Sequence, residues 1–137
     1  MIYHGVFPKP TSSTIESHLK SIGVVSPQWT YTMFAETHFH SNTHEVLGIA
    51  SGSAKCCFGG EQNEGRVELV LKQGDVVVIP AGVAHRLLED HGGFQMVGSY
   101  PQGKTWDMCC KSSAPSRLQR RVSDPACLNT DTDLSGT

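Results

Sequence analysis

Between residues 29 and 100 the chain is a succession of short segments rich in β-branched and aromatic residues: WTYTMF, HEVLGIA, AKCCF, RVELVL, VVVIP, HRLLE and FQMVGSY. Glycine-bearing breaks part them at Ser51-Gly52, Gly59-Gly60, Gln73-Gly74 and His91-Gly92-Gly93. Segments of this kind, returning about every ten residues between turn signals, read as strands, and a series of them predicts an all-β sandwich or barrel. Ahead of the series, Ile15, Leu19 and Ile22 recur at one-turn spacing, with Ser13 and Glu16 as a capping box and Gly23 as a stop. That pattern predicts one short helix over residues 12–22, its apolar stripe covering an open end or a face of the sheets.

A length of 137 residues suits one domain with a core adequate for folding. We divide it into an N-terminal arm and short helix (1–28), a barrel (29–110) and a polar tail (111–137). The tail has Leu118, Val122, Cys127 and Leu134 to bury, and it either wraps across the barrel or a partner subunit or stays mobile.

Eleven Lys and Arg against thirteen Asp and Glu, with no basic stripe, argue against a nucleic-acid partner. The opening MIYHGVFPKP has no basic stretch leading into an apolar run, and no apolar stretch approaches the roughly 20 residues that span a bilayer. No membrane partner is expected, and the expected location is the cytoplasm. The five cysteines, Cys56-Cys57, Cys109-Cys110 and Cys127, lack metal-knuckle or redox-motif spacing and are expected as reduced thiols. Alternation along the strand sends one of Cys56 and Cys57 inward and the other outward.

Three of the seven histidines fall within residues 38–44, in THFHSNTHEVLGIASG. On a strand, His38 and His40 point to one face, where two imidazoles can converge on a single ion. Glu45 opens the next apolar strand after the polar break Ser41-Asn42-Thr43, and a hairpin-like return would set its carboxylate beside them. Two imidazoles and a carboxylate describe a metal site. By the same alternation His44 faces away.

The spacing His38, His40, Glu45, Gly52 and the later series Gly74, Pro80, Gly82, His85 resemble the two ordered motifs of the cupin family. Glu89 stands where the second motif commonly has Asn. The wording HFHSNTHEVLG with GDVVVIPAGVAH is similar to a subgroup of small bacterial-type cupins. The resemblance covers about residues 29–100 and implies a jelly-roll barrel of two antiparallel sheets, with His38, His40, Glu45 and His85 as metal ligands. It also implies a homodimer.

Three imidazoles and one carboxylate suit one divalent ion per chain, Fe, Mn, Ni, Co, Cu or Zn, with positions left open for a small molecule. Glu45 serves as a ligand or, if it leaves the ion, as a base. Leu47 and Ile49 follow it on its face, and Trp29, Tyr31 or Met33 close the pocket. Arg86 points outward, which leaves no inward cation for an acidic substrate. Two functions stay open: a metal-dependent enzyme of dioxygenase, isomerase or lyase type, and a non-catalytic metal-containing module that binds or senses a small molecule.

Overall fold

A computed structural model describes residues 1–111 and 119–121. The tail's Leu118, Val122, Cys127 and Leu134 lie outside the described residues. In chain order the elements are β1 (Ile2–Tyr3), α1 (Ser12–Ile22), β2 (Val25–Tyr31), β3 (His38–Phe39), β4 (Glu45–Ser51), β5 (Ser53–Phe58), β6 (Val67–Lys72), β7 (Val76–Ile79), β8 (His85–Asp90), β9 (Gln95–Pro101), β10 (Cys109–Lys111) and β11 (Gln119–Arg121). They form two antiparallel sheets, ordered β1-β7-β4-β9-β2 and β11-β10-β3-β8-β5-β6.

The expected all-β architecture is present, and its core lies between the sheets. Trp29, Leu47, Ile49, Met96 and Tyr100 from the first sheet pack with Ala54, Cys56 and Leu71 from the second. Alternation explains the assignment: along β4 the inward set is Glu45, Leu47 and Ile49, and along β9 it is Met96, Gly98 and Tyr100. Cys56 joins this core, where burial pushes its thiol up to about 12. Cys57 stands outside the core cluster, as alternation predicts, but is covered there and only 1% exposed.

Each expected turn is present. At Gly52 the chain leaves the first sheet as β4 and enters the second as β5. That corner requires φ of 68°, and a Cβ there would come within 2.3 Å of the Gly92 carbonyl oxygen. No other residue type fits such a bend. β2 begins at Val25, ahead of the WTYTMF segment, and includes Pro27 because the register breaks between Pro27 and Trp29. A bulge is where a strand tolerates a residue without an N–H. The N-terminal arm adds β1 beside β7 and is clasped by Asp75, whose buried carboxylate accepts the N–H groups of Gly5 (3.0 Å) and Lys72 (2.9 Å).

The helix lies where the periodicity places it, but its cap differs. Thr11, in extended conformation, accepts from the N–H of Thr14, while the Thr14 hydroxyl accepts from the N–H of Thr11. Ser13 is already inside the first turn and cannot cap it. Glu16 instead accepts from the Thr30 hydroxyl at 3.2 Å. Gly23, left-handed, closes the helix with its N–H on the Lys20 carbonyl. Ile15 and Leu19 are buried against Ala50 and Val97 on the outer face of the first sheet, whereas Ile22 is 51% exposed.

The approach of α1 depends on Gly48. A Cβ built there would stand 2.7 Å from Ile15 Cγ2. We therefore expect Gly48→Ala to destabilise the fold by about 1–3 kcal/mol, the usual cost of forcing an extra carbon into a packed contact. Thermal or urea denaturation measures this. Combined with Ile15→Ala, the loss should be less than additive; an unchanged midpoint for the single variant would contradict the packing described.

Candidate metal centre

His38 and His85 are direct Cα partners on β3 and β8, with ring centroids 4.3 Å apart. His40 lies two residues beyond His38 on the same face, 5.6 Å from His85 by ring centroids. One ring nitrogen from each of the three lies within 4.8 Å of the others. Glu45 approaches from the opposite wall, because β4 belongs to the first sheet. The expected hairpin-like return is thus replaced by a crossover: residues 41–44 carry the chain from the second sheet to the first, and the cluster forms between the sheets. Glu45 Oε2 faces His40 Nε2 at 3.1 Å and His85 Nε2 at 3.2 Å.

Backbone carbonyls set the aim of all three rings. His38 Nδ1 donates to the Glu36 carbonyl (2.9 Å), His85 Nδ1 to the Val83 carbonyl (3.0 Å) and His40 Nδ1 to the Asp107 carbonyl. With Nδ1 occupied, each imidazole turns Nε2 toward the centre. The His40 anchor is itself built: Ser41 donates its N–H and hydroxyl to the Asp107 carboxylate, and Asn42 donates to the Thr105 carbonyl and accepts from the Asp107 N–H. The turn at Pro80-Ala81-Gly82 docks on the same segment. The Gly82 N–H reaches the His40 carbonyl at 2.7 Å, and the Ala81 N–H donates to His44 Nδ1 at 3.0 Å. His44 therefore faces away from the cluster, as alternation predicts, and ties the two motif segments together.

The electrostatics follow from burial. His38, His40, His85 and Glu45 are all buried. Burial, reinforced by the neighbouring His85, brings His38 down to about 3, so it is neutral. Burial alone would raise Glu45, but His40 and His85 outweigh it and hold the carboxyl well below its usual range. Burial likewise opposes charge on His40, and the Glu45 carboxylate overrides it to raise that ring above its ordinary value. A proton on His40 is thus one answer to the charge on Glu45.

A divalent cation is the other, and the residues fit one. Glu45 Oε2 is buried with the His40 and His85 Nε2 atoms at 3.1 and 3.2 Å as its neighbours, and a ring nitrogen of His38 lies within 4.8 Å of ring nitrogens of both. Nitrogen and carboxylate donors so placed are a transition-metal set.

Trp29, Met33, Phe34, Leu47, Met96 and Met108 wall the cavity beside the cluster, which holds about 20 Å³ of free space. That is room for a water-sized molecule. Trp29, Met33 and Leu47 stand where the sequence places them. Tyr31 packs on Phe34 behind the wall, and Ile49 lies in the core away from the lining. Among the described residues neither Lys nor Arg lines the cavity; the Arg86 guanidinium pairs with Glu61 at 2.6 Å. Glu89 is exposed and pairs with His91 at 3.4 Å, away from the lining.

Sequence reasoning missed Tyr100, whose hydroxyl donates to Glu45 Oε1 at 2.9 Å and accepts from Trp29 Nε1 at 2.8 Å. The alternation of FQMVGSY was the signal that would have found it, since it puts Met96 and Tyr100 on one face. Asp107 meets His40 through its main-chain carbonyl, which no side-chain pattern announces.

The sequence model described as cupin matches residues 19–94. The chain is 40% identical over 97 residues to the uncharacterized protein YjlB of Bacillus subtilis (strain 168), a stretch covering 71% of this chain and 56% of that one. It thus spans little more than half of that relative. Among solved structures, it resembles the coconut allergen cocosin (TM-score 0.52, 17% identity, 74% of this chain and 26% of that one). It also resembles the pro-11S globulin of pumpkin (TM-score 0.51, 14% identity, 74% and 26%). These two likenesses concern the fold alone. With the family model covering more than half of its residues and a relative at 40% identity, the chain belongs to the cupin family.

Proposed function

We propose that the chain is a metal-dependent enzyme acting on a small molecule, with one divalent ion held by His38, His40, Glu45 and His85. One observation supports this reading: all three histidines spend Nδ1 on main-chain carbonyls, and two of them, His40 and His85, set Nε2 within 3.2 Å of one buried carboxylate oxygen of Glu45. Fe, Mn, Ni, Co, Cu and Zn all suit the donor set. Bound there, such an ion supplies Lewis-acid polarisation of a chelating substrate or, for the redox-active metals, electron transfer to it.

The chain's own residues divide the remaining work. The apolar wall favours neutral groups, since among the described residues neither Lys nor Arg lines the cavity. Glu45, the only carboxylate lining it among the described residues, is held ionised and serves as a ligand or as a base toward a substrate proton. Dioxygenase, isomerase and lyase chemistry are each compatible with this arrangement. The small free volume favours a second reading, a module that holds the ion and a water-sized ligand without turnover. Metal analysis of untagged protein, followed by oxygen uptake and by anaerobic substrate-loss assays with catechols, thiols and diketones, separates the two. Substrate-dependent turnover is expected of the enzyme, and none with any loaded metal would leave the binding module.

We expect one ion per chain by mass spectrometry of metals. His38→Ala or His85→Ala should lower affinity by about tenfold or more, whereas His44→Ala, directed at the Ala81 N–H, should leave it nearly unchanged. Loss of the ion in His44→Ala with retention in Glu45→Ala would refute the assignment.

Affinity should also depend on pH in a defined direction. His40 is raised above its ordinary 6.5, so it keeps its proton to higher pH, and the ion must displace that proton. Affinity should therefore rise with pH through the neutral range and level off above the raised value. His38, at about 3, adds competition only in strong acid. Competitive chelator titrations between pH 5 and 8 should show about one proton released per ion, and full retention at pH 4 would count against a histidine site.

A further inference from the structure

Glu45 has two carboxylate oxygens, and the structure uses them differently. Oε2 faces the histidines, while Oε1 accepts the Tyr100 hydroxyl at 2.9 Å. The direction of that hydrogen bond is fixed by a third group. Trp29 Nε1 is a donor only, and it lies 2.8 Å from the Tyr100 oxygen, so the phenol accepts from the indole and its single hydrogen goes to Glu45. The three residues sit on neighbouring strands β4, β9 and β2 of one sheet.

The relay is rigid at each step. The Trp29 indole lies directly over Gly98, where a Cβ would come within 2.1 Å of the ring. The glycine within β9 is the residue that lets the indole lie there. The Tyr100 ring is stacked on Trp106, with centroids 5.8 Å apart and an interplanar angle of 18°, and stands edge-on to His40. Tyr100 is fully buried and Glu45 is 2% exposed, which screens the bond from solvent. Burial and the Glu45 charge both push the phenol's ionisation upward, keeping the hydrogen in place.

We propose that Tyr100 is a positioning residue that reserves Glu45 Oε1, so that Glu45 presents one oxygen to the ion and a coordination position stays free for an exogenous ligand. The inference rests on the metal reading above. A carboxylate can grip a cation with one oxygen or two. Here the second grip would draw Oε1 away from a buried, charge-assisted hydrogen bond and leave the phenol hydrogen without its acceptor, while the indole N–H keeps the phenol oxygen. A site closed by a two-oxygen Glu45 would have less room for substrate, so Tyr100 would govern access to the ion without touching the substrate.

The test uses Co(II) alone and then azide as the exogenous ligand. Infrared difference spectra of the wild-type chain carrying isotope-labelled glutamate, Co(II)-loaded minus metal-free, should show the wide antisymmetric–symmetric carboxylate separation of one-oxygen ligation. Tyr100→Phe removes only the hydroxyl. It should still take up one Co(II) per chain, narrow that separation, change the visible Co(II) bands and weaken azide binding by about tenfold or more. Unchanged Co(II) bands and azide affinity in Tyr100→Phe overturn the inference, as does a narrow separation in the wild type, which needs no variant to fold. A wild-type chain that takes up no Co(II) overturns the metal reading itself, and the two failures are thereby told apart.

Discussion

An ionised carboxylate held between two β-sheets must be answered by positive charge or hydrogen bonds, because the surrounding medium gives it almost none of the solvation it had in water. Glu45 is that carboxylate, 2% exposed and opposite three imidazoles. Its demand explains why the sheets face one another as they do at this point. The first sheet supplies Glu45 with its phenol and indole partners; the second supplies the rings. Neither sheet alone contains a balanced site, so the packing of the sheets and the assembly of the cluster are one event.

The loops around the cluster serve the same demand. Residues 41–44 cross between the sheets and are tied down twice, to the segment around Asp107 and to the turn at Pro80-Ala81-Gly82. On the far side of β4, Gly48 lets α1 lie flat against the sheet. One strand therefore carries the charged residue on its inner face and a helix-docking notch on its outer face. Its alternating pattern is used on both sides.

The strand series, the turns and the four residues of the cluster were legible because each rests on local periodicity or on fixed spacing. His38 and His40 share a face by alternation, and the spacing of Gly74, Pro80, Gly82 and His85 marks the second segment. Three features were not legible, each for a physical reason. The crossover at residues 41–44 looks like a hairpin in sequence, because a polar break of that length serves either connection. The helix cap moved to Thr11 because Ser, Thr and Glu crowd residues 11–16, and only the backbone conformation decides among them. Tyr100 and Gly98 act through contacts between strands distant in sequence, which the FQMVGSY pattern orients without naming the partner.

The three imidazoles take their bearing from the carbonyls of Glu36, Val83 and Asp107. A carbonyl belongs to every amino acid, so no ring is aimed by the side chain of the residue that supplies its acceptor, although the Asp107 carboxylate, held by Ser41, fixes where the third carbonyl stands. The side chains that wall the cavity, Met33, Phe34, Met96 and Met108 among them, are a different set, of which Phe34 also packs edge-on against the His38 ring. The three methionines of the wall can thus be exchanged without touching a carbonyl that aims a ring: selection, natural or in a library, is free to vary them for new ligands while the ring anchors are inherited intact.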